Sequence, residues 1–474
     1  MLPVRTISRV TRAAAATIAM TALVACSGGD AESKRSTSHR ATTTTSSLLP
    51  PSSTTPPTTT SAGVKDSKPR PATSRYRPNG ALKLADLAFI VANGDVFSAD
   101  VVLADSKTGM RQRIFNGDAD LHASNATWSP DGAYLAIEAF GPGGEHFADG
   151  TRNVVRLQVA ILEMATGAIT IASDHGAVSD FPLLWSPNSR YVAYLLDEQT
   201  GSAPRVMVID AAKGTEAPLT ASGDFAWLAD SSGVVSSAAG CGDCDRYYPM
   251  QIAYLDGRAT RALADSTESS PGYDEPQIPY FDRPPRPSVS ADGEFIFVRR
   301  NIHVNGPRSL VANIRNSRFA ELPEAYQLSG WLGTTHNMLL AANDYLVVNA
   351  DTCAPRPAKT ACGGTIRLDG SRGCQTALSP DSTMVLDAEC GTPSRGERYG
   401  VLYWSLLPTN GGKARKLLDT DTAQRVSANG AWLADGTAVV VPGPDGEYKV
   451  VNLKGQIIQP LGPASSVVAR PQVR

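Results

Sequence analysis

Apolar residues recur along this chain in one repeated phrase: a large apolar residue, a polar turn, then a short alternating run. The clearest copies are Trp128-Ser129-Pro130-Asp131-Gly132 before 134–137, and Trp185-Ser186-Pro187-Asn188-Ser189 before 191–195. Looser copies start at Trp227, Val289, Trp331, Leu378 and Trp432, so consecutive anchors lie 57, 42, 62, 42, 47 and 54 residues apart. The alternation predicts half-buried strands, and Gly, Asn, Asp or Ser after the anchor predicts a tight turn. Two more strands follow each anchor, joined by short Gly turns, as in 157–163 and 168–172 around Thr166-Gly167. A similar set precedes the first anchor, at 87–91, 101–104 and 111–115.

A repeat of this length with one hairpin per period predicts an all-β chain built as a single β-propeller, a closed ring of small sheets. Eight outer-strand sets stand against seven inner anchors. The missing inner strand is expected at 465–469, where it completes the first blade and leaves no free edge. Eight blades are therefore expected. Seven is the alternative, because the segment around Trp331 is degenerate. The anchor Trp residues are expected to pack neighbouring sheets together rather than to stack on a ligand, and the Asp-Gly pairs to make turns.

The ends change the picture. Arg5, Arg9 and Arg12 precede an apolar run over 13–24 that is short for a mature membrane span. The run ends in Leu23-Val24-Ala25-Cys26, which resembles a bacterial lipobox. Residues 1–25 are thus read as a lipoprotein signal peptide and Cys26 as the lipidated residue. Two or three acyl chains would anchor the protein stably to a lipid bilayer. Residues 26–80, rich in Ser, Thr and Pro over 36–61, have no apolar periodicity and read as a disordered stalk. As a coil, such a stalk would span about 40 Å. The propeller is expected over 81–474.

Net charge is −2, and no basic block follows the signal, which argues against a nucleic-acid partner. Seven cysteines suit an exported chain. Setting Cys26 aside leaves six, with fifteen possible pairings; nearest neighbours give Cys241–Cys244, Cys353–Cys362 and Cys374–Cys390. The Cys-x-x-Cys spacing at 241–244 could also serve redox chemistry or a metal, but no βαβ context surrounds it.

The phrase at 128–136, with 185–193 as a second good copy, resembles the TolB-type (WD40-like) β-propeller repeat family. That resemblance implies an envelope protein whose propeller serves as a docking ring for other proteins. In a four-stranded meander the connections between the second and third strands, and from one blade to the next, share a face. Most long insertions fall there: 141–153, 240–249, 265–287, 301–308 and 391–399. They carry Tyr273, Tyr280, Phe281, Arg283, Arg286, Arg395, Arg398 and Tyr399 as candidate interface residues, since Tyr and Arg are favoured anchors. The expected function is a membrane-anchored, extracytoplasmic lipoprotein whose loop face binds an envelope protein or cell-wall component.

The alternative is an enzyme, or a small-ligand or glycan-binding protein, acting at the central channel. Catalytic signatures are not found. His122, His146, His175, His303 and His336 show no metal spacing. Glu145, His146 and Asp149 read as a solvated loop rather than a metal site. No nucleophile elbow or nucleotide fingerprint stands at a strand–helix junction, and Gly141-Pro142-Gly143-Gly144 reads as a loop between strands. No catalytic residue, metal or cofactor is assigned.

Overall fold

The computed structural model describes residues 70–471, apart from 72–74, 78–83, 93–97, 147–152, 177–182, 197–203, 239–249, 264–286, 303–305, 317, 323–325, 342–343, 354–361, 363–364, 372, 374, 391–400, 421–428 and 444–445. Cys26, Cys241, Cys244, Cys374, the stalk before residue 70 and all eight candidate interface residues lie outside the described residues.

The strands form eight blades. Blade 1 pairs Ser466–Ala469 with Leu87–Ala92, then Ala99–Ala104 and Arg111–Phe115. Blade 2 is His122–Trp128, Tyr134–His146, Asn153–Glu163 and Ile169–Gly176. Blade 3 is Leu184–Trp185, Tyr191–Leu196, Arg205–Asp210 and the first half of Thr215–Trp227. The second half of that strand opens blade 4, which continues with Gly233–Ala238, Met250–Tyr254 and Arg261–Ala262. Blade 5 runs through Ser288–Val289, Phe295–Ile302, Gly306–Asn313 and Arg318–Glu321. Blade 6 runs through Gln327–Trp331, Asn337–Ala341, Asp344–Asn349 and Ile366–Ser371. Gln375–Leu378, Met384–Cys390, Val401–Pro408 and Arg415–Asp419 make blade 7, and Ala431–Trp432, Ala438–Pro442, Glu447–Asn452 and Ile457–Pro463 make blade 8.

The ring closes as the repeat count requires. Leu87 lies opposite Ala469 and Ile90 opposite Ser466, so the last strand supplies the inner edge of the first blade. The apolar side chains sort into eight clusters, each shared by two consecutive blades. Leu87 and Phe89 of blade 1 pack with Val440 and Tyr448 of blade 8 in one of them. The core is therefore the set of interfaces between sheets, which is why strand residues facing either way are buried.

The anchor residues do more than fill space. The Trp185 indole donates to the Thr127 carbonyl at 3.0 Å, that of Trp227 to Leu184 at 2.9 Å, and that of Trp432 to Ala377 at 3.0 Å. Each acceptor directly precedes the anchor of the neighbouring blade. Trp128 reaches Val468 of the closing strand at 3.3 Å, and Trp331 reaches the Ser288 hydroxyl at 3.2 Å. The turns are laced similarly. Ser189, Ser231 and Ser382 adopt positive φ where other blades place Gly. Their hydroxyls accept the backbone N–H of Asp131, Asn188 and Gly333, each in the turn of the preceding blade. A side chain that makes this bond offsets part of the strain of a left-handed conformation.

Three expectations need correction. The globular unit begins before residue 81: Arg70–Pro71 pairs with Ile171 and Thr170 on the rim of blade 2, and buried Tyr76 donates to Gln158 Oε1 at 2.8 Å. Residues 141–144 are strand, not loop, because Tyr134–His146 and Asn153–Glu163 form one long hairpin. Gly141 is required there, since a Cβ would sit 1.9 Å from the Asp120 carbonyl oxygen. The 301–308 insertion is likewise mostly ladder, with Ile302 opposite Gly306.

Candidate functional site: loop face and central channel

The connections distinguish the two faces of the ring. On one face lie the anchor turns and the turns between third and fourth strands, most of them short. Its one long connection, 350–365, holds the Cys353–Cys362 disulfide, with Cα atoms 4.1 Å apart. At the other face end the strands that bracket 239–249, 263–287, 391–400 and 420–430, together with the long hairpin of blade 2. That hairpin extends its strands about twice as far as the neighbouring blades do, by the usual rise per residue.

Tyr273, Tyr280, Phe281, Arg283 and Arg286 belong to the connection from blade 4 to blade 5, and Arg395, Arg398 and Tyr399 to the connection within blade 7. Both groups lie outside the described residues; the strands that bracket the two connections end at the loop face, on either side of blade 6. Cys390, at the foot of the second connection, is disulfide-bonded.

The channel opens on the turn face into a cavity of about 850 Å³. Its wall includes Trp128, Trp432, Pro130, Pro380, Asn429 and Arg470. The polar groups here are committed to the fold. Arg470 donates to the Gly132 carbonyl at 2.7 Å and the Ala85 carbonyl at 3.2 Å, and its guanidinium lies over the Trp128 ring. Asn429 donates to the Val467 carbonyl and accepts the Val467 N–H, both at 2.8 Å. Among the described lining residues the sole carboxylate is Asp131, whose Oδ1 accepts from the Ser129 hydroxyl and the Ala133 N–H. This wall offers packing rather than an acid–base pair.

A buried polar network between blades 2 and 3 was not legible as a motif. Tyr194 donates to Glu216, accepts from Ser173 at 2.7 Å, and His175 meets the other Glu216 oxygen at 2.7 Å. Burial pushes the Tyr194 phenol well above its ordinary value. Nearby Glu138 is 3% exposed, with one oxygen 3.2 Å from the Ser124 hydroxyl and the other without a hydrogen-bond partner among the described residues. Burial raises its carboxyl from 4.5 to about 8, against the lowering effect of Ser124. A neutral carboxyl in this setting is a structural group shared by two sheets. Tyr345 and Asp387 repeat the theme between blades 6 and 7, at 2.6 Å.

No family model matches the chain, and no curated protein matches it. Solved structures resemble its fold. TolB from Acinetobacter baumannii aligns at 12% identity and TM-score 0.35, over 70% of this chain and 65% of that one, so the chain spans less than two thirds of that TolB. The C-terminal WD40 domain of Sif2 aligns at 9% identity and TM-score 0.49, over 81% and 98%. The β-propeller domain of the Trilobed protease from Pyrococcus furiosus aligns at 11% identity and TM-score 0.41, over 75% and 95%. The class of protein is defined by the strand order itself: an eight-bladed, all-β propeller closed by its last strand.

Proposed function

We propose that this chain is an extracytoplasmic lipoprotein, held to the membrane through acylated Cys26 and a stalk, whose propeller binds an envelope protein or cell-wall component through its loop face. The asymmetry between the faces carries this reading: in a closed ring with short turns on one side, the strands that bracket nearly all the long connections end on the other. Loops on a rigid scaffold are the usual carriers of recognition. Those at 263–287 and 391–400 hold three Tyr, one Phe and four Arg among the candidate residues, the side chains best suited to interface anchors. The anchor is assigned to Cys26 because Leu23-Val24-Ala25-Cys26 follows a basic start and a short apolar run, as in a lipobox.

The test is in-cell cross-linking of the tethered full chain followed by mass spectrometry, beside a strain lacking 265–287. The reading expects a discrete partner that disappears with the loop. Finding no specific cross-link in either strain would reject it. The anchor is tested separately: a Cys26→Ser chain should leave the membrane fraction, and persistence there would reject lipidation.

A further inference from the structure

A cluster on the turn face, at the boundary of blades 5 and 6, is used neither by the proposed docking face nor by the channel. It joins three stretches of the chain, around 292–294, 336 and 351. Asp292 lies in the anchor turn of blade 5, and Glu294 directly precedes the strand Phe295–Ile302. His336 ends the anchor turn of blade 6, and Asp351 lies in the 3-10 turn Ala350–Thr352.

The cluster is arranged like a ligand set whose outward atoms are already held. His336 Nδ1 meets Asp351 Oδ2 at 2.6 Å, and the Asp351 N–H is in turn bonded to Asn349 Oδ1 at 2.8 Å. The imidazole also rests edge-on against the Phe295 ring, with centroids 4.7 Å apart. Asp292 Oδ1 accepts from the Ser290 hydroxyl at 2.6 Å and the Glu294 N–H at 3.1 Å. Glu294 Oε1 is held by Arg315 at 2.5 Å. One atom of each first residue is left facing the others. His336 Nε2 meets Asp292 Oδ2 and lies 3.8 Å from Glu294 Oε2, and the three ligand positions all fall within 4.8 Å of one another.

With both ring nitrogens protonated, the imidazole bonds Asp351 through Nδ1 and Asp292 through Nε2. With only the Nδ1 proton, given to Asp351, the three facing atoms are all acceptors, and a cation takes the place of the Nε2 proton. A carboxylate bound to the far nitrogen of a ligating imidazole is the usual outer partner of a metal-bound histidine, fixing its tautomer and orientation. One imidazole and two carboxylates make a donor set suited to first-row divalent transition ions, with the open positions left to water.

We propose that His336, Asp292 and Glu294 bind a divalent transition-metal ion that joins blades 5 and 6, with Asp351 and Arg315 as the outer groups that orient the ligands. The ion adds a link to a seam whose tryptophan is held less firmly than those of blades 3, 4 and 8. Trp331 is only partly buried, and its indole N–H reaches a side chain instead of the neighbouring backbone.

The experiment is titration of the full chain with Zn²⁺ by calorimetry and with Co²⁺ by visible absorption, alongside His336→Ala, Glu294→Gln and Asp351→Asn. The expected result is one ion per chain and a Co²⁺ spectrum of a mixed nitrogen and oxygen site. His336→Ala should lose both. Asp351→Asn should bind on the order of 10- to 100-fold more weakly, as outer-shell changes do. Zn²⁺ should raise the thermal midpoint of the wild type and leave that of His336→Ala unchanged, since only a native-state site transmits binding to stability. Circular dichroism reports whether each variant is folded, and Glu294→Gln, which keeps the side-chain shape, covers the case in which His336→Ala does not fold. Absence of stoichiometric binding, or equal binding by wild type, His336→Ala and Glu294→Gln, would overturn the assignment.

Discussion

At the residue scale, Glu138 sets the sharpest expectation. Its carboxyl is buried between two sheets and titrates near 8 in the folded chain, against 4.5 ordinarily. Below pH about 4.5 both folded and unfolded chains carry the proton, and nothing is lost. Between there and about 8 the unfolded chain releases the proton while the folded chain keeps it, so rising pH drains stability. The limit is about 1.4 kcal/mol per pH unit. Glu138→Gln removes this titration while keeping the shape. Its urea midpoint should therefore gain on the wild type from pH 5 to pH 8 and gain no more above that. A constant difference across this range would show that Glu138 is ionised in the fold. None of this was legible in the sequence, because Glu138 reads as an ordinary polar position on a strand. Its environment is made by Tyr194, contributed by the next blade. The same reason hid the His336 cluster: Asp292 and His336 are 44 positions apart and touch only because consecutive turns stack around the ring. By contrast, the Ser-Pro-Asp turns were plain, since their hydrogen bonds are local. Ser129 bonds Asp131 at 2.6 Å and accepts the Tyr134 N–H at 2.9 Å.

At the scale of the element, the inner strands are the curious part. Leu184–Trp185, Ser288–Val289 and Ala431–Trp432 are two residues long, which gives each little ladder of its own. In the first and last of these, the indole bond to the neighbouring inner strand supplies a rung that the sheet lacks. Trp185→Phe keeps an aromatic ring but removes the N–H to Thr127, and it should lower unfolding stability by about 1–3 kcal/mol through the lost bond and the smaller ring. Trp331→Phe should cost less, because its bond is longer, ends on a hydroxyl, and serves a five-residue strand. Equal losses in the two variants, measured by urea unfolding, would show that ring packing alone matters. The repeat revealed which residues were anchors, but the hydrogen bond depends on how far one sheet is rotated against the next, which no local pattern encodes. The long hairpin of blade 2 departs from its local sequence signal for a related reason. A Gly-Pro-Gly-Gly run signals a loop in isolation, yet here Gly141 lets the backbone pass the Asp120 carbonyl, and the ladder resumes after a register shift between Pro142 and His146.

For the whole molecule, the decisive element is the strand Ser466–Ala469. A propeller assembled from blades in sequence would end with an open seam between blade 8 and blade 1. The closing strand pairs with Leu87–Ala92, accepts the Trp128 indole at Val468, and accepts Asn429 at Val467. Beyond it, Arg470 ties the chain to Gly132 in the anchor turn of blade 2. Three consecutive blades, 8, 1 and 2, therefore meet on a few residues. Removing 466–474 would bare the edge of Leu87–Ala92 and strip buried Val467 from the cluster shared by blades 8 and 1. An unpaired apolar edge is an invitation to pair with another chain. The truncated protein should unfold at clearly lower denaturant, with a broader transition, and should self-associate in sedimentation or light scattering. Arg470→Ala, which keeps the strand, should remain monomeric with a smaller loss. A truncated chain that stayed monomeric and unfolded at the wild-type midpoint would mean that the eight interfaces are individually sufficient, and that closure contributes only the path of the chain.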